Sequence, residues 1–188
     1  MENPSLQPLL TRRSVSVRDL HAPAPSEAQL DSILRVATRV PDHGKLCPWR
    51  IRILQGAGAL QLGAIAADIF AKANPDATEA QIAAEHQRFA RAPLCLAVLS
   101  TPVLGTKPVW EQELSAGAVC MNILHAAHAL GFGGKWLTEW VAYDATILAA
   151  LGGQPTDKIA GFVYIGSKIN DPEDRERPVI AAIARPWP

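Results

Sequence analysis

The sequence has little of what marks several protein classes. Its three cysteines, Cys47, Cys95 and Cys120, are widely spaced, odd in number and form no Cys-x-x-Cys pair. That argues against both a zinc clamp and a disulfide framework. Eighteen Lys and Arg face eighteen Asp and Glu, so there is no formal net charge. A chain without surplus cations has nothing with which to displace counterions from a phosphate backbone, and no nucleic-acid partner is expected. Long apolar runs are missing too. The most apolar long stretch, Leu114–Leu130, is broken by Asn122, His125 and His128, short of the roughly 20 apolar residues a membrane span wants. The first residues, MENPSLQPLLTRRS, carry an early acid and no long apolar segment. No secretory signal is expected there, and the expected location is the cytoplasm. Repeats and low-complexity tracts are absent.

What is present is a globular composition. The 188 residues are 48% hydrophobic and 19% charged, which suits one compact domain over residues 1–188 and leaves little room for two cores. A short apolar helix is expected at Leu6–Arg12, followed by the Pro-rich turn Ala22–Pro25. Ser26 with Gln29 fits a capping box, and Leu30, Ile33, Leu34 and Ala37 recur at helical spacing, predicting a helix over Ser26–Thr38. Trp49–Leu54 alternates and reads as a strand. Helices are expected at Leu60–Ala73, from Thr78 to Phe89, at Trp110–Leu130, and from Asp144 to Leu151. Leu94–Leu99 reads as a buried strand, Lys135–Thr138 as a short one, and Lys158–Ser167 as the clearest. Residues 101–108 read as a loop. Without a regular strand–helix–strand beat, an α+β sandwich is favoured over a doubly wound sheet.

Four stretches carry candidate chemistry. Arg12-Arg13-Ser14 stands where a helix ends and an extended segment begins. Two planar donor forks and a hydroxyl suit phosphate oxygens, although a basic helix end also complements the macrodipole. The loop PDHGKLCPW, residues 41–49, offers His43 and Cys47 as a possible thiol–imidazole pair. The other reading is a loop that meets a ligand or a neighbouring subunit. His125 and His128 share a helix face, as a metal pair or as packing groups. Gly131-Phe132-Gly133-Gly134 resembles a dinucleotide fingerprint, but these glycines follow a helix and open a strand, the reverse of the Rossmann order. They read instead as a helix cap, with or without a flat ligand against the bare backbone.

Taken in order, Arg12-Arg13-Ser14, Ala22–Pro25, Pro41–Trp49 and the long helix ending at Gly131–Gly134 resemble the flavin-dependent nitroreductase family, in particular its compact bacterial YdjA-type branch. The resemblance runs from about Leu9 to Gly166. It implies an α+β fold: a homodimeric, three-layer α/β/α sandwich around a mixed, mostly antiparallel sheet. It also implies two FMN sites at the subunit interface. By matching positions, Arg12, Arg13 and Ser14 would hold the FMN phosphate and ribityl chain, with Arg177, and less surely Arg175, completing the phosphate grip. Arg39 would reach the flavin, and His43 would touch the FMN held mainly by the other subunit. Trp136, Leu137 and Thr138 would line the isoalloxazine. The tail, residues 169–188, would pack on the partner.

The implied activity is an FMN-dependent oxidoreductase with NADH or NADPH as donor. It would reduce nitroaromatics, quinones or related acceptors by a ping-pong mechanism. The flavin carries the chemistry, so no side-chain acid or base and no metal is nominated. Two alternatives stand beside this one: a flavin-binding or flavin-degrading protein of the same fold, and a dimeric interaction module. Three positions depart from the family pattern. Cys47 replaces the usual Gln, Lys45 replaces the common Asn, and Leu137 stands where the close branch has Arg. These exchanges bear on acceptor choice and flavin potential. The small residues of the long helix (Ser115, Ala116, Gly117, Ala118, Ala126, Ala127) suit either a dimer seam or a tight core within one chain.

Overall fold

The computed structural model describes residues 3–105 and 107–187. Glu2, the two ends of the expected 1–188 domain, and Thr106 of the 101–108 loop lie outside the described residues. In chain order the elements are α1 (Gln7–Thr11), β1 (Leu20–His21), α2 (Glu27–Ala37), β2 (Trp49–Leu54), α3 (Gly56–Ala73), α4 (Glu79–His86), β3 (Leu94–Ser100), α5 (Val109–Ala129), β4 (Gly133–Leu137), α6 (Ala145–Ala150), β5 (Lys158–Lys168) and α7 (Ile180–Ile183). Hydrogen-bonded neighbours in the sheet run β1-β5-β3-β2, and β4 pairs with β5 as well.

Each strand pairing is antiparallel. The α+β sandwich therefore forms as expected, while the mixed character of the sheet has no parallel pair among the described residues. The physical reason is local. β5 is long enough to take β3, β4 and β1 along its length, and each of them reaches it running the opposite way.

The side-chain alternation of β3 divides the interior in two. Leu94, Leu96 and Val98 meet Ile33 and Ala37 of α2 and Val119, Cys120 and Ile123 of α5. Cys95, Ala97 and Leu99 meet Leu62 and Ala66 of α3, Phe89, and Ile147 of α6. All seven residues of β3 are buried, which is why the sequence there is a continuous apolar run with no period. Helices thus cover both faces of the sheet. Cys95 and Cys120 are both buried, and burial pushes both thiols up from their usual range. None of the described helices is long and apolar enough to cross a membrane.

Local chemistry fixes the helix ends. Ser26 and Gln29 cap α2 reciprocally, and Thr78 and Gln81 do the same for α4. Asp144 Oδ1 accepts from the amides of Thr146 and Ile147 at 2.8 and 2.9 Å, starting α6. At the end of α5, Gly131 (φ 87°) lets the Phe132 amide donate to the Ala127 carbonyl at 2.9 Å, a Schellman closure.

Several expectations shift. The helix expected up to Phe89 ends at His86 and gives way to a tighter turn at Arg88–Ala90. α3 starts four residues early, at Gly56. Ala116, Ala126 and Ala127 are spent inside the chain, against the sheet, while Gly117 and Ala118 stay half-buried. The bare glycines of β4 make room for side chains and not for a ligand. A Cβ on Gly133 would lie 2.8 Å from Leu20 and 2.9 Å from Val15, and one on Gly134 would lie 2.9 Å from Leu124.

Gly63 allows α3 and α4 to touch, because a Cβ there would fall 2.0 Å from the His86 carbonyl oxygen. Gly63→Ala improves helix propensity but must push backbone aside. It is expected to lower unfolding free energy by about 1–3 kcal/mol in urea denaturation; an unchanged or raised stability would contradict the close approach.

Candidate functional site

α1 stops at Thr11, and Arg12 already has extended backbone, φ −55° and ψ 126°. The chain then runs beside β4, where the Val15 amide donates to the Gly134 carbonyl at 3.1 Å. This path gathers cations. Arg12 is half-buried, and its Nη1 is buried with no hydrogen-bond partner among the described residues. Burial, then repulsion from Arg177, Arg13 and Arg175, lowers the Arg12 pKa from its ordinary value. Arg13 Nε donates to the Glu173 carbonyl at 3.0 Å and pairs with Asp174 at 3.4 Å. The same Asp174 oxygen takes Arg177 at 2.8 Å. Residues 173–177 of the tail therefore fold back on the end of α1.

Two histidines of α5 complete this cluster. Thr11 Oγ1 lies 3.3 Å from His128 Nε2, and His125 Nδ1 is buried without a partner among the described residues. Burial and the positive charge of Arg12 lower the His125 pKa. His128 is lowered by burial, Lys168, Arg12 and His125, in that order. Lys168 itself pairs with Asp171. Crowded cations with a buried, unused donor are what a phosphomonoester would satisfy, with its charge of roughly −1.5 to −2 and three acceptor oxygens.

Four residues along the chain from Arg12, a cavity of about 540 Å³ opens between the extended segment that follows α1 and β4. One wall is Ser16, Val17 and Arg18, one residue beyond Arg12-Arg13-Ser14. Another is Lys135, Leu137 and Glu139, alternate residues along and just beyond β4. Trp136 points the other way. Its Nε1 donates to the Ala160 carbonyl at 3.0 Å, over Gly161, where a Cβ would come within 1.9 Å of that nitrogen. Thr138 is half-buried between Leu137 and Glu139.

Glu139 has φ 55° and ψ −178°, a region that glycine occupies almost alone and that costs other residues about 1–3 kcal/mol. Its carboxylate is gripped from two sides, by Arg88 Nη1 at 2.7 Å and Arg91 Nη2 at 2.6 Å. Arg91 Nη2 also donates to the Tyr164 hydroxyl at 3.1 Å, and that hydroxyl donates to the Arg88 carbonyl at 3.2 Å. Glu85 binds Arg88 from its other side and accepts from Trp140 Nε1 at 3.2 Å. Burial alone would raise the Glu139 carboxyl, but Arg91 and Arg88 outweigh it and hold it below the usual range.

The 41–49 loop forms a separate feature. Asp42 accepts from the amides of Leu46 and Cys47, both at 2.9 Å, and Lys45 and Cys47 take positive φ. His43 Nδ1 meets Glu111 at 2.6 Å. Cys47 is exposed, and no hydrogen bond joins it to His43 among the described residues, so the thiol–imidazole pair does not form. Glu111 and His125 stand fourteen residues apart on α5, about 21 Å at the helical rise. His43 and the arginine cluster thus sit at opposite ends of one helix. Arg39 is exposed, and its carbonyl accepts from Asn122 at 3.0 Å.

The fold therefore brings Arg12, Arg13, Arg175 and Arg177 together. It sets Ser14, Trp136, Leu137 and Thr138 on the two segments beside them, and leaves Arg39 and His43 elsewhere in the chain. Sequence reasoning missed Ser16, Arg18, Gln87, Arg88, Arg91 and Glu139 on the cavity wall. The Glu85-x-x-Arg88-x-x-Arg91 spacing was the available signal, hidden because the helix was expected to run on to Phe89.

The model of the Nitroreductase family matches residues 9–167. The chain is 38% identical over 170 residues to the Escherichia coli (strain K12) protein named "Putative NAD(P)H nitroreductase YdjA", with 87% of each chain covered. In structure it is similar to a nitroreductase-like family protein from Bacillus cereus, with TM-score 0.80, 21% identity and coverage of 100% of this chain and 97% of that one. It is also similar to a "putative nitroreductase in complex with FMN" from Desulfovibrio desulfuricans, with TM-score 0.74, 23% identity and full coverage of both chains. At these identities the structural likeness establishes the fold.

The lowered histidines make stability depend on pH. A base whose folded pKa lies below its unfolded value favours the unfolded chain once protonated, so the contribution is present above the unfolded value and lost as pH falls. Urea midpoints are expected to drop between about pH 7.5 and about pH 5.5, and to drop less in the His125→Gln/His128→Gln double variant. An identical decline in both proteins would contradict the assignment.

Proposed function

The chain belongs to the nitroreductase family, and on that premise we propose that it is a homodimeric, FMN-dependent NAD(P)H oxidoreductase that reduces nitroaromatics, quinones or related acceptors. The observation that carries this reading is the buried Arg12 Nη1, without a partner among the described residues and grouped with three further arginines, on a segment that four residues later walls a cavity with β4. That donor set fits a phosphate, and the Leu137 wall fits an apolar ring next to it. Relatives point the same way in their names: NAD(P)H for the Escherichia coli protein, FMN for the Desulfovibrio structure.

In this proposal Arg12, Arg13 and Arg177, with Arg175, hold the FMN phosphate, and Ser14 the ribityl chain. Leu137 and Thr138 line the isoalloxazine, and Trp136, whose indole turns to the opposite face of β4, meets it through its backbone. Bound FMN would supply the redox chemistry between NAD(P)H and an acceptor using the same cleft. The chain's own part is placement. The arginines anchor one end, and Leu137 excludes water along the ring. No side chain is asked to act as a general acid or base.

The second subunit is part of the proposal, and two features support it. His43 lies at the far end of α5 from the arginine cluster, so it reaches a flavin only across an interface; Arg39 is assigned to that flavin as well. Residues 169–187 bury almost nothing in their own chain. Val179, Ile180, Ile183 and Trp187 are 73%, 69%, 67% and 93% exposed, and on α5 Trp110 and Leu114 are exposed as well. We assign residues 169–188 to packing on the partner, the whole of 1–188 to one FMN-binding domain, and the protein to the cytoplasm.

Purified protein is expected to be yellow, or to become so with added FMN, and to bleach with NADH or NADPH. Protein that stays colourless with FMN would overturn the proposal, and a bound flavin that resists both donors would favour the flavin-binding alternative. Arg12→Ala should weaken FMN binding by about 10- to 100-fold in an absorbance titration, the scale of one charged hydrogen bond. Unchanged affinity would remove Arg12 from the site.

A further inference from the structure

We infer that Glu139 is a positioning residue. Its carboxylate, clamped by Arg88 and Arg91, holds residue 139 in a glycine-type backbone conformation and so fixes the path of the chain at Thr138–Glu139, where it borders the cavity. This rests on the flavin reading of that cavity and goes beyond it, because it assigns a role to a residue that reading does not use.

Three observations meet here. A glutamate occupies φ 55° and ψ −178°, where a side chain is disfavoured and glycine is not. The strained residue directly follows Thr138 and itself lines the cavity beside Leu137. Its Oε2 is held at 2.6 and 2.7 Å by Arg91 and Arg88, two guanidiniums from one segment, 88–91, and its Oε1 accepts from Arg91 Nη1 at 3.4 Å; the segment is anchored in turn by Tyr164 of β5 through Arg91 and by Glu85 of α4 through Arg88. Strain persists only where the surroundings over-determine it. The clamp supplies that determination, from the sheet on one side and from a helix on the other. Glu139 acts through the backbone it holds.

The clamp makes an order of variants that neither bulk nor charge would give. Gln is close in size and loses the charge, so the strain remains with the grip weakened. Glycine loses the whole side chain but takes the same backbone without strain. With FMN as probe, Glu139→Gln is expected to bind about tenfold more weakly than wild type, while Glu139→Gly stays within about threefold of wild type. In the apoproteins, amide exchange over residues 136–140 is expected to be faster in Glu139→Gln than in Glu139→Gly. If Glu139→Gln does not fold, Arg91→Lys supplies the weakened clamp, and adding Glu139→Gly to it should restore FMN binding.

A Glu139→Gly protein as weak as Glu139→Gln, with equally fast exchange, would overturn the inference and leave the flavin reading standing. A wild-type protein that takes up no FMN would overturn the flavin reading, and the exchange comparison would then decide the clamp by itself.

Discussion

Four guanidinium groups converge where α1 ends, and among the described residues the ion pairs there draw on one carboxylate, that of Asp174, which takes Arg13 and Arg177. Arg12 receives none and keeps a buried nitrogen without a partner among the described residues. Like charges at short range in a half-buried place are costly unless something neutralises them. Burial first, and then the same positive field, lower the pKa values of His125 and His128. An anion would resolve the conflict, and in the proposed function it is the phosphate of FMN, whose ring is assigned to the cavity bounded by β4.

The sheet makes this placement possible. β3 is consumed by two cores, one on each face, so its residues are all committed to stability. β4 is more exposed to use: it pairs with β5 on one side, and the segment after Arg12-Arg13-Ser14 lies against its start. Its residues then alternate between Trp136, locked over Gly161, and Leu137, turned to the cavity. Beyond it the backbone takes a conformation that Arg88 and Arg91 hold in place. Stability and function thus fall on different strands of one sheet.

Much of this was legible in the residues. The capping box at Ser26, the helix start at Thr78, the alternation of Trp49–Leu54 and the unbroken apolar run of β3 each carry a local physical signature, and each element formed. Arg12-Arg13-Ser14 was visible as an anion clamp, and Gly131 as a helix stop. What could not be read was anything produced by distant segments meeting. The contact of 173–177 with Arg13, the His43–Glu111 pair and the approach of Arg88 and Arg91 to Glu139 join parts of the chain far apart in sequence. The small residues of α5 left two readings open, and packing against the sheet settled it for Ala116, Ala126 and Ala127. Glu139 is the clearest case. Nothing in Trp-Leu-Thr-Glu-Trp announces positive φ on a glutamate, because the cause lies about 50 residues earlier, in the arginines that grip it.

The most direct measurement compares FMN with riboflavin, which has the same ring and no phosphate, by calorimetric titration at low and high salt. If the arginine cluster is a phosphate site, FMN binds at least about 100-fold more tightly than riboflavin at low salt, and the gap narrows as salt screens the charges. Equal affinities for the two, unaffected by salt, would contradict it.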